Sequence, residues 1–493
     1  MRPPMLRPEP LLVLLVLMAI VAAAGCAPSE SSAPAPPEST APDARRPSQA
    51  DADRAPADDV VASEGHHAGT GPASPAAPAE SVSSGTAAAP EKAAAAPAAD
   101  TVRLQPADLV YRGTFRLPGP SGGSDWTWCG DALAYRPDGD PEGGGDGYPG
   151  SLFGFGHDHQ HFVSEISIPA PVVSKGKVLA DLPTAKTLQP FADVRAGHFA
   201  DYEIPRAGLA YLPPQGDQTS PKLYFSFGQH MHETFKGPTL CWCEPTLADP
   251  KTAGPWRLGE FTEYVTADYL FPLPKAWADA HAGGLRLGCG RFRDGGQGSM
   301  GPVVIAFAPW QHGNPPAADT QLKAVPLLLY SSVYDEPDQQ HTVRDYHHSD
   351  DWAGAAWLTD GTKAAVVFVG TKGVGKCWYG FANGVVWPEE GPWPPVPPFP
   401  NDQRGWWSTE FVRQMLFYDP ADLAKVAAGT MKPHEPQPYA VMDLDPVLFS
   451  IKGKQQTQKV MACAADMDRG RLYVFERNAD EDGRALVHVW EVK

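Results

Sequence analysis

Two short segments decide the fold: residues 207–211 read Ala-Gly-Leu-Ala-Tyr, and residues 223–228 read Leu-Tyr-Phe-Ser-Phe-Gly. The first is built mainly from small residues, whereas the second is apolar and ends in glycine. The stretch between them is rich in Pro, Gly and Asp, as turns are. Two apolar runs of this length around a turn predict a pair of antiparallel β-strands.

The same two-segment unit occurs five times after residue 100. The other four copies lie at residues 130–135 with 151–156, 301–307 with 327–330, 353–357 with 366–370, and 461–465 with 471–475. Radial repetition of such units is typical of a β-propeller, in which small residues line the crowded channel and apolar strands pack between blades. We therefore predict an all-β propeller of five blades. Because the copies are unevenly spaced, seven blades is the alternative.

The two ends of this region predict how the ring closes. Residues 463–492 resemble the terminal blade of many bacterial propellers. Residues 109–115, Leu-Val-Tyr-Arg-Gly-Thr-Phe, would add an outer strand to that blade and leave no exposed sheet edge. Most of residues 105–493 resembles uncharacterised secreted bacterial β-propeller proteins in its blade pattern, and this resemblance implies a fold but no activity. Helix is scarce, and the clearest one is predicted at residues 420–428.

Residues 1–25 have the features of an export signal. Two arginines precede an uninterrupted apolar run at residues 11–24, which is too short for a membrane-spanning helix of roughly 20 residues. Residues 23–26, Ala-Ala-Gly-Cys, resemble the lipobox of bacterial lipoproteins. The resemblance implies cleavage before Cys26 and a diacylated cysteine, which anchors a protein stably in membrane lipid. An ordinary signal peptide with a chance cysteine is the alternative.

Residues 26–99 consist mainly of Ala, Pro, Ser, Glu, Asp and Gly. Such a stretch cannot bury enough apolar surface to offset the entropy lost on ordering, so we predict a disordered tether. Its prolines favour extended, fairly stiff conformations. We expect it to hold the propeller domain, residues 100–493, clear of the outer membrane or cell surface.

Charge and cysteine content narrow the partners and the covalent chemistry. A formal net charge of −18 argues against nucleic acid as a partner. Of the 7 cysteines, six remain besides Cys26, and an oxidising compartment allows them up to three disulfides of undetermined pairing. Cys241 and Cys243 would face the same side of a strand, which suits two different partners better than each other. A zinc cluster is the alternative.

Histidines are concentrated in loops that a propeller would bring to one face. In this fold the loops before the inner strands and those after the second strands open on the same side. H-x-H pairs occur in two such loops, and imidazole is the commonest zinc or copper ligand. We therefore predict a divalent transition metal held by some of the following: His157, His159, His230, His232, His347, His348 and Asp351. Loop histidines bonded to the backbone and acid–base histidines are the alternatives.

Carboxylates on the same predicted face form a second constellation. Its members are Asp125 or Asp131, Glu203, Asp294, and Asp350 or Asp351. Two carboxylates flanking a glycosidic bond are the minimum apparatus for its hydrolysis. Five-bladed glycosidases such as arabinanases are similar in placing carboxylates on successive inner strands, but this chain has none of their flanking motifs. Ordinary solvated loop acids are the alternative.

Trp393, Trp406 and Trp407 lie in a proline-rich insertion together with Trp387. Prolines stiffen the backbone, so these rings would be held ready to stack on a flat ligand such as a sugar. We take Trp393, Trp406, Trp407 and Glu203 as candidate ligand-binding residues; the alternative is that the tryptophans fold back and cover the blade.

These features together predict a membrane-anchored extracytoplasmic propeller lipoprotein that binds a ligand, a glycan or a metal, on its funnel face. The alternative is an extracytoplasmic hydrolase of glycosides or esters. Whether the chain is an enzyme is left open, because no nucleophile–base pair is evident and propellers host many functions.

Overall fold

The computed structural model describes residues 102–202, 206–399, 401–450 and 459–493. It contains five small sheets of four or five strands. Their inner strands contact one another in a closed cycle around a channel. The protein is therefore a five-bladed β-propeller; the predicted all-β class and the preferred five blades are confirmed, and the alternative of seven is wrong.

The predicted signal peptide, the predicted lipidation site Cys26 and the whole predicted tether fall outside the described residues, and they stay predictions. Among the helices that the structure describes, none is long and apolar enough to cross a membrane.

The chain begins with two strands that join later blades and then forms blades one and two. The two early strands are β1 (Val102–Arg103) and β2 (Leu109–Arg116). Blade one consists of β3 (Leu133–Arg136), β4 (Ser151–Phe155), β5 (Val163–Ser167) and β6 (Thr187–Ala192). Blade two consists of β7 (Arg206–Leu212), β8 (Lys222–Gly228), β9 (Leu240–Cys243) and β10 (Ala253–Leu258).

Blade three follows, with two short helices near its inner strand. Its elements in chain order are α1 (Glu263–Thr266), β11 (Tyr269–Pro272), α2 (Lys275–His281), β12 (Leu287–Gly290), β13 (Val304–Phe307), β14 (Gln321–Leu322) and β15 (Ala324–Leu328). Strand β14 pairs in parallel with β10 and so extends blade two.

Blade four carries the longest strands, and blade five closes the ring. Blade four has β16 (Asp351–Thr359), β17 (Lys363–Phe381), β18 (Arg404–Tyr418), α3 (Pro420–Ala427) and β19 (Ala440–Asp443); β1 pairs in parallel with β17. Blade five has β20 (Val460–Asp466), β21 (Arg471–Glu476) and β22 (Leu486–Val492).

The predicted closure of the ring is confirmed. Strand β2 pairs antiparallel with β22 from Leu109 opposite Val492 to Arg116 opposite Leu486. The outer strand of the last blade therefore comes from the beginning of the domain, and β22 has no unpaired edge.

The predicted position of blade three is wrong. Residues 301–307 and 327–330 were expected to form its inner pair, but β13 and β15 are its third and outer strands, and β11 and β12 are inside. The reason is that β13 is buried along its whole length, as an inner strand is. Composition therefore does not tell the two positions apart.

The core lies between neighbouring blades, as predicted for the apolar second strands. Phe155 of β4 and Phe227 of β8, for example, have ring centroids 5.3 Å apart across blades one and two. Inner strands also approach one another closely, since a Cβ atom added to Gly354 would lie 2.4 Å from the carbonyl oxygen of Met461. Small residues on the inner strands are thus required by packing.

The six described cysteines are all unpaired, so the allowed disulfides do not form. They are distributed over all five blades; five of them are buried in the cores, and Cys377 is half-buried. Cys241 and Cys243 do face the same side, toward blade one, whereas Trp242 joins the core toward blade three. The predicted helix is also present as α3, and the Asp419 carboxylate caps it by accepting from the backbone N–H of Ala421 at 2.9 Å.

Candidate ligand site on the funnel face

Loops from different blades meet on the side of the propeller where the inner strands begin. Arg477, between β21 and β22, donates to Asp158, between β4 and β5, at 2.7 Å. Arg293, between β12 and β13, lies with its Nη1 2.6 Å from Nδ1 of His230, between β8 and β9. We call this side the funnel face.

A charged residue stands at the beginning of each inner strand on this face. These five residues, which we call the channel ring, are Asp131, Arg206, Asp268, Asp351 and Lys459. Arg206 and Asp351 are the first residues of β7 and β16, while the other three directly precede β3, β11 and β20 by one or two positions. The three carboxylates are almost completely buried.

Asp351 holds the two cations of the ring. Its Oδ2 accepts from Lys459 Nζ at 2.6 Å and from Arg206 Nη2 at 3.2 Å. Burial alone would raise the pKa of this carboxyl, but attraction by Lys459 and Arg206 outweighs burial and holds the pKa far below its ordinary value. Asp351 is therefore charged at neutral pH.

The other two ring carboxylates differ from each other in their pKa. Burial opposes ionisation of Asp131, but the imidazole of His161 and the charges of Arg477 and Arg206 lower its pKa to about 2. At Asp268, burial outweighs the attraction of Arg291, whose Nε lies 3.3 Å from Oδ1, and the pKa is raised. The ring thus combines carboxyls of low and raised pKa.

Four buried oxygens of the ring accept no hydrogen bond from any residue that the structure describes. They are Asp131 Oδ1, both carboxylate oxygens of Asp268, and Asp351 Oδ1. Buried acceptors without a donor are costly and are normally served by water or by a ligand. These four oxygens are therefore the places in the ring where a further donor is expected.

The predicted metal ligands occupy separate places. His157 and His159 lie together with Asp158, and this is the one group of potential ligands that the described residues bring within 4.8 Å of one another. Asp351 belongs to the channel ring instead. The structure does not gather the remaining candidate histidines around His157.

The histidines of blade two have partners in their own surroundings. Nδ1 of His230 faces Arg293, and burial together with that positive charge lowers the pKa of His230 to about 4. Nδ1 of His232 lies 3.0 Å from Oε2 of buried Glu263, whose Oε1 accepts from the hydroxyl of Tyr202 at 2.5 Å.

The histidines of blade four face the long β17–β18 hairpin. His347 Nδ1 lies 3.1 Å from Ser408 Oγ, and His348 stacks on Trp406 with ring centroids 4.3 Å apart. Burial lowers the pKa of both imidazoles. Ser408 is 5% exposed and its hydroxyl also meets Ser349, so it is not presented as a nucleophile.

The candidate carboxylates that do not belong to the channel ring have separate partners in their own surroundings. Asp125 accepts from the backbone N–H of Thr127, Asp294 lies beside Arg293, and buried Asp350 pairs with Lys372. Burial raises the pKa of Asp350 to about 6. Glu203 lies outside the described residues.

Three ring members were missed by the sequence reasoning: Arg206, Asp268 and Lys459. A usable signal was present for Arg206, because it directly precedes the recognised segment of small residues in blade two. Asp268 was hidden by the wrong position of blade three.

The candidate tryptophans divide into two kinds. Trp406 stacks on His348, and Trp393, which is half exposed, stacks in parallel on Trp387 at 5.2 Å. Trp407 is buried and meets Phe411 edge-on, so its ring faces the protein interior. The hairpin thus presents Trp393 and Trp406, but not Trp407, near solvent.

Neither a protein-family profile nor a curated protein sequence matches this chain.

Proposed function

We propose that this chain is an extracytoplasmic, lipid-anchored binding protein whose propeller takes a polyhydroxylated ligand, such as a glycan, above the channel ring. The observation that carries the proposal is the set of buried carboxylate oxygens at Asp131, Asp268 and Asp351 that lack a donor among the described residues. Sugar hydroxyls are donors of this kind, and they can replace water without leaving the acceptors unpaired.

Two further features support a neutral polyol over a polyanion. Arg206 and Lys459 supply donors beside the carboxylates, so the ring offers both kinds of hydrogen-bonding partner. Trp393 and Trp406 offer aromatic faces on which a sugar ring can stack. A polyanion would meet three buried carboxyl groups and a chain of net charge −18.

The test is glycan binding by the full chain, measured by calorimetry against a panel of oligosaccharides. Asp268→Asn should weaken binding at least about tenfold, because a lost hydrogen bond to a charged acceptor is worth about 1.5–3 kcal/mol. Asp466→Asn is the matched control, since Asp466 is equally buried but ends the inner strand β20 at the other end of the channel. Equal losses in both variants, or no binding by the wild type, would contradict the proposal.

The anchor is tested separately through Cys26. Cys26→Ala should move the protein from the membrane fraction to the soluble fraction, because the acyl chains can no longer be attached. Retention of the variant in detergent-free membranes would rule out the lipid anchor and leave the glycan proposal untouched.

Glycoside hydrolysis is the second candidate, and the split of carboxyl pKa values favours it. Asp268, whose pKa burial raises, would serve as general acid, and Asp131, whose pKa is lowered to about 2, as general base. Asp268→Asn and Asp131→Asn should each then lower the release of reducing ends by about 100-fold or more. If the wild type binds glycan without hydrolysing it, hydrolysis is ruled out and only the binding proposal stands.

A further inference from the structure

A second group of polar side chains on the funnel face lies in the loop between β4 and β5. Its residues His157, Asp158 and His159 are consecutive, and one ligand atom of each lies within 4.8 Å of the others. We propose that this loop binds a divalent transition metal of the zinc or copper class. The inference does not rest on the glycan proposal.

The first argument is that one carboxylate oxygen of Asp158 lacks a hydrogen-bond donor among the described residues. Its Oδ2 accepts from Arg477 at 2.7 Å, but its Oδ1 is buried and accepts no hydrogen bond from a described residue. This Oδ1 lies 3.7 Å from Nδ1 of His157 and 3.7 Å from Nε2 of His159. The imidazoles surround the oxygen without bonding to it, and a cation between the three groups would satisfy it.

The donor set is the second argument. Two imidazoles and one carboxylate match the protein ligands of open zinc sites, which leave a fourth position for water or substrate. Metal–nitrogen bonds of about 2 Å need ligand atoms slightly closer together than they are here, which requires small rotations of the His157 and His159 side chains. His159 is 61% exposed in its side chain, whereas His157 and Asp158 are mostly covered.

The loop is held in place before any metal binds. The backbone N–H of His157 donates to the carbonyl of Asp125 at 2.8 Å, and the carbonyl of His157 accepts from His161 at 2.9 Å. The N–H of His159 donates to Nδ1 of His157 over 3.2 Å, and a metal bound at that nitrogen would replace this hydrogen bond. Trp128 contacts both imidazoles, with ring centroids 5.3 and 5.8 Å away. Such preorganisation lowers the entropy lost on binding.

The chain provides a matched control in the equivalent loop of blade two. His230 and His232 form the same H-x-H pattern, but their rings face Arg293 and Glu263. The experiment is titration of the metal-stripped full chain with Zn²⁺ by calorimetry, repeated with Cu²⁺ while following nitrogen hyperfine splitting by EPR.

Wild type should bind one equivalent of metal, with two nitrogen ligands in the Cu²⁺ spectrum. His159→Ala and Asp158→Asn should each weaken binding at least tenfold, and His232→Ala should not. Because His159 is exposed, His159→Ala should leave the fold and melting temperature of the metal-free protein unchanged. Absence of stoichiometric binding, or loss of binding in His232→Ala but not in His159→Ala, would overturn the proposal.

Discussion

The five inner strands carry opposite chemistry at their two ends. Where they begin, each bears one charged residue of the channel ring. Toward their other ends the channel is lined by small and apolar residues: Ala134, Tyr135, Ala210, Tyr211, Phe271, Pro272, Ala356, Trp357, Ala464 and Ala465. The same five strands thus carry buried charged residues at the funnel end of the channel. At the other end they carry the packed apolar residues just named, which we call the plug.

This difference indicates where function lies. Apolar side chains in the plug gain stability from each contact that they make. Buried charges in the ring recover at best what their desolvation costs, and well-packed apolar residues in their place are often as stabilising or more so. Stability alone therefore does not account for five charged residues at corresponding places in five blades, whereas the proposed ligand binding would.

The largest effect is expected from breaking the ring at its most connected member. Asp351→Ala leaves Arg206 and Lys459 partly buried without their shared partner, which should lower the free energy of unfolding by about 3–5 kcal/mol. Urea denaturation of the full chain measures this. Asp360→Ala, in the exposed turn at the plug side, should cost far less. A loss under about 1 kcal/mol for Asp351→Ala would mean that the two cations find other partners.

The next largest effect is expected between the two ends of the inner strands, where close packing should dominate the free energy of unfolding. Gly354→Ala places a Cβ against the backbone of Met461 and Cys463, and such overpacking typically lowers the free energy of unfolding by about 1–3 kcal/mol. Gly119→Ala is the control, because a Cβ there meets nothing within 4 Å. It should be neutral or slightly stabilising. Equal unfolding midpoints would show that blades four and five can move apart freely.

The fold was readable from the sequence because the packing repeats. Small inner strands and apolar second strands recur wherever blades of this shape meet, and four of the five units lie where they were predicted. Blade three was misplaced because its third strand, β13, is buried along its whole length, as an inner strand is.

The site was less readable, because its contacts join residues far apart in the chain. Arg206 and Asp351 are 145 positions apart and meet only through ring closure. Sequence reasoning placed the polar loops on one face, but loop composition does not tell which side chains reach the channel. The histidine loops show the same limit: identical H-x-H patterns lie beside Asp158 in blade one and beside Arg293 and Glu263 in blade two.

A moderate effect is expected from pH at the funnel side. The folded-state pKa of His230 is about 4, below its ordinary value of 6.5. A lowered histidine pKa contributes stability that is present above pH 6.5 and is lost as pH falls through 6.5 toward 4. When the pH falls from about 7.5 to 5, the free energy of unfolding should decrease by about 1–2 kcal/mol less in His230→Asn than in wild type, allowing for the partial exposure of His230. Urea unfolding at both pH values measures it. An equal loss of stability in wild type and variant between the two pH values would show that His230 is not kept neutral by the fold.

The smallest effects are expected from the same substitution, Tyr to Phe, made at the plug end and at the funnel end. Tyr211, at the plug end, donates to Oδ1 of Asp138 at 3.1 Å, and that carboxylate is largely exposed. Tyr202, at the funnel end, donates to Glu263, which is completely buried. Water can replace the first donor but not the second.

Tyr211→Phe should therefore lower the free energy of unfolding by only about 0.5 kcal/mol, and Tyr202→Phe by about 1.5–2 kcal/mol, as a buried charged acceptor loses its partner. The cation–π contact of Arg136 with ring 211 persists in phenylalanine and does not enter the difference. Urea unfolding at neutral pH separates the two values. Equal losses would mean that solvent reaches Glu263. The contrast between a funnel end that excludes water and a solvent-exposed plug end would then no longer hold at blade two.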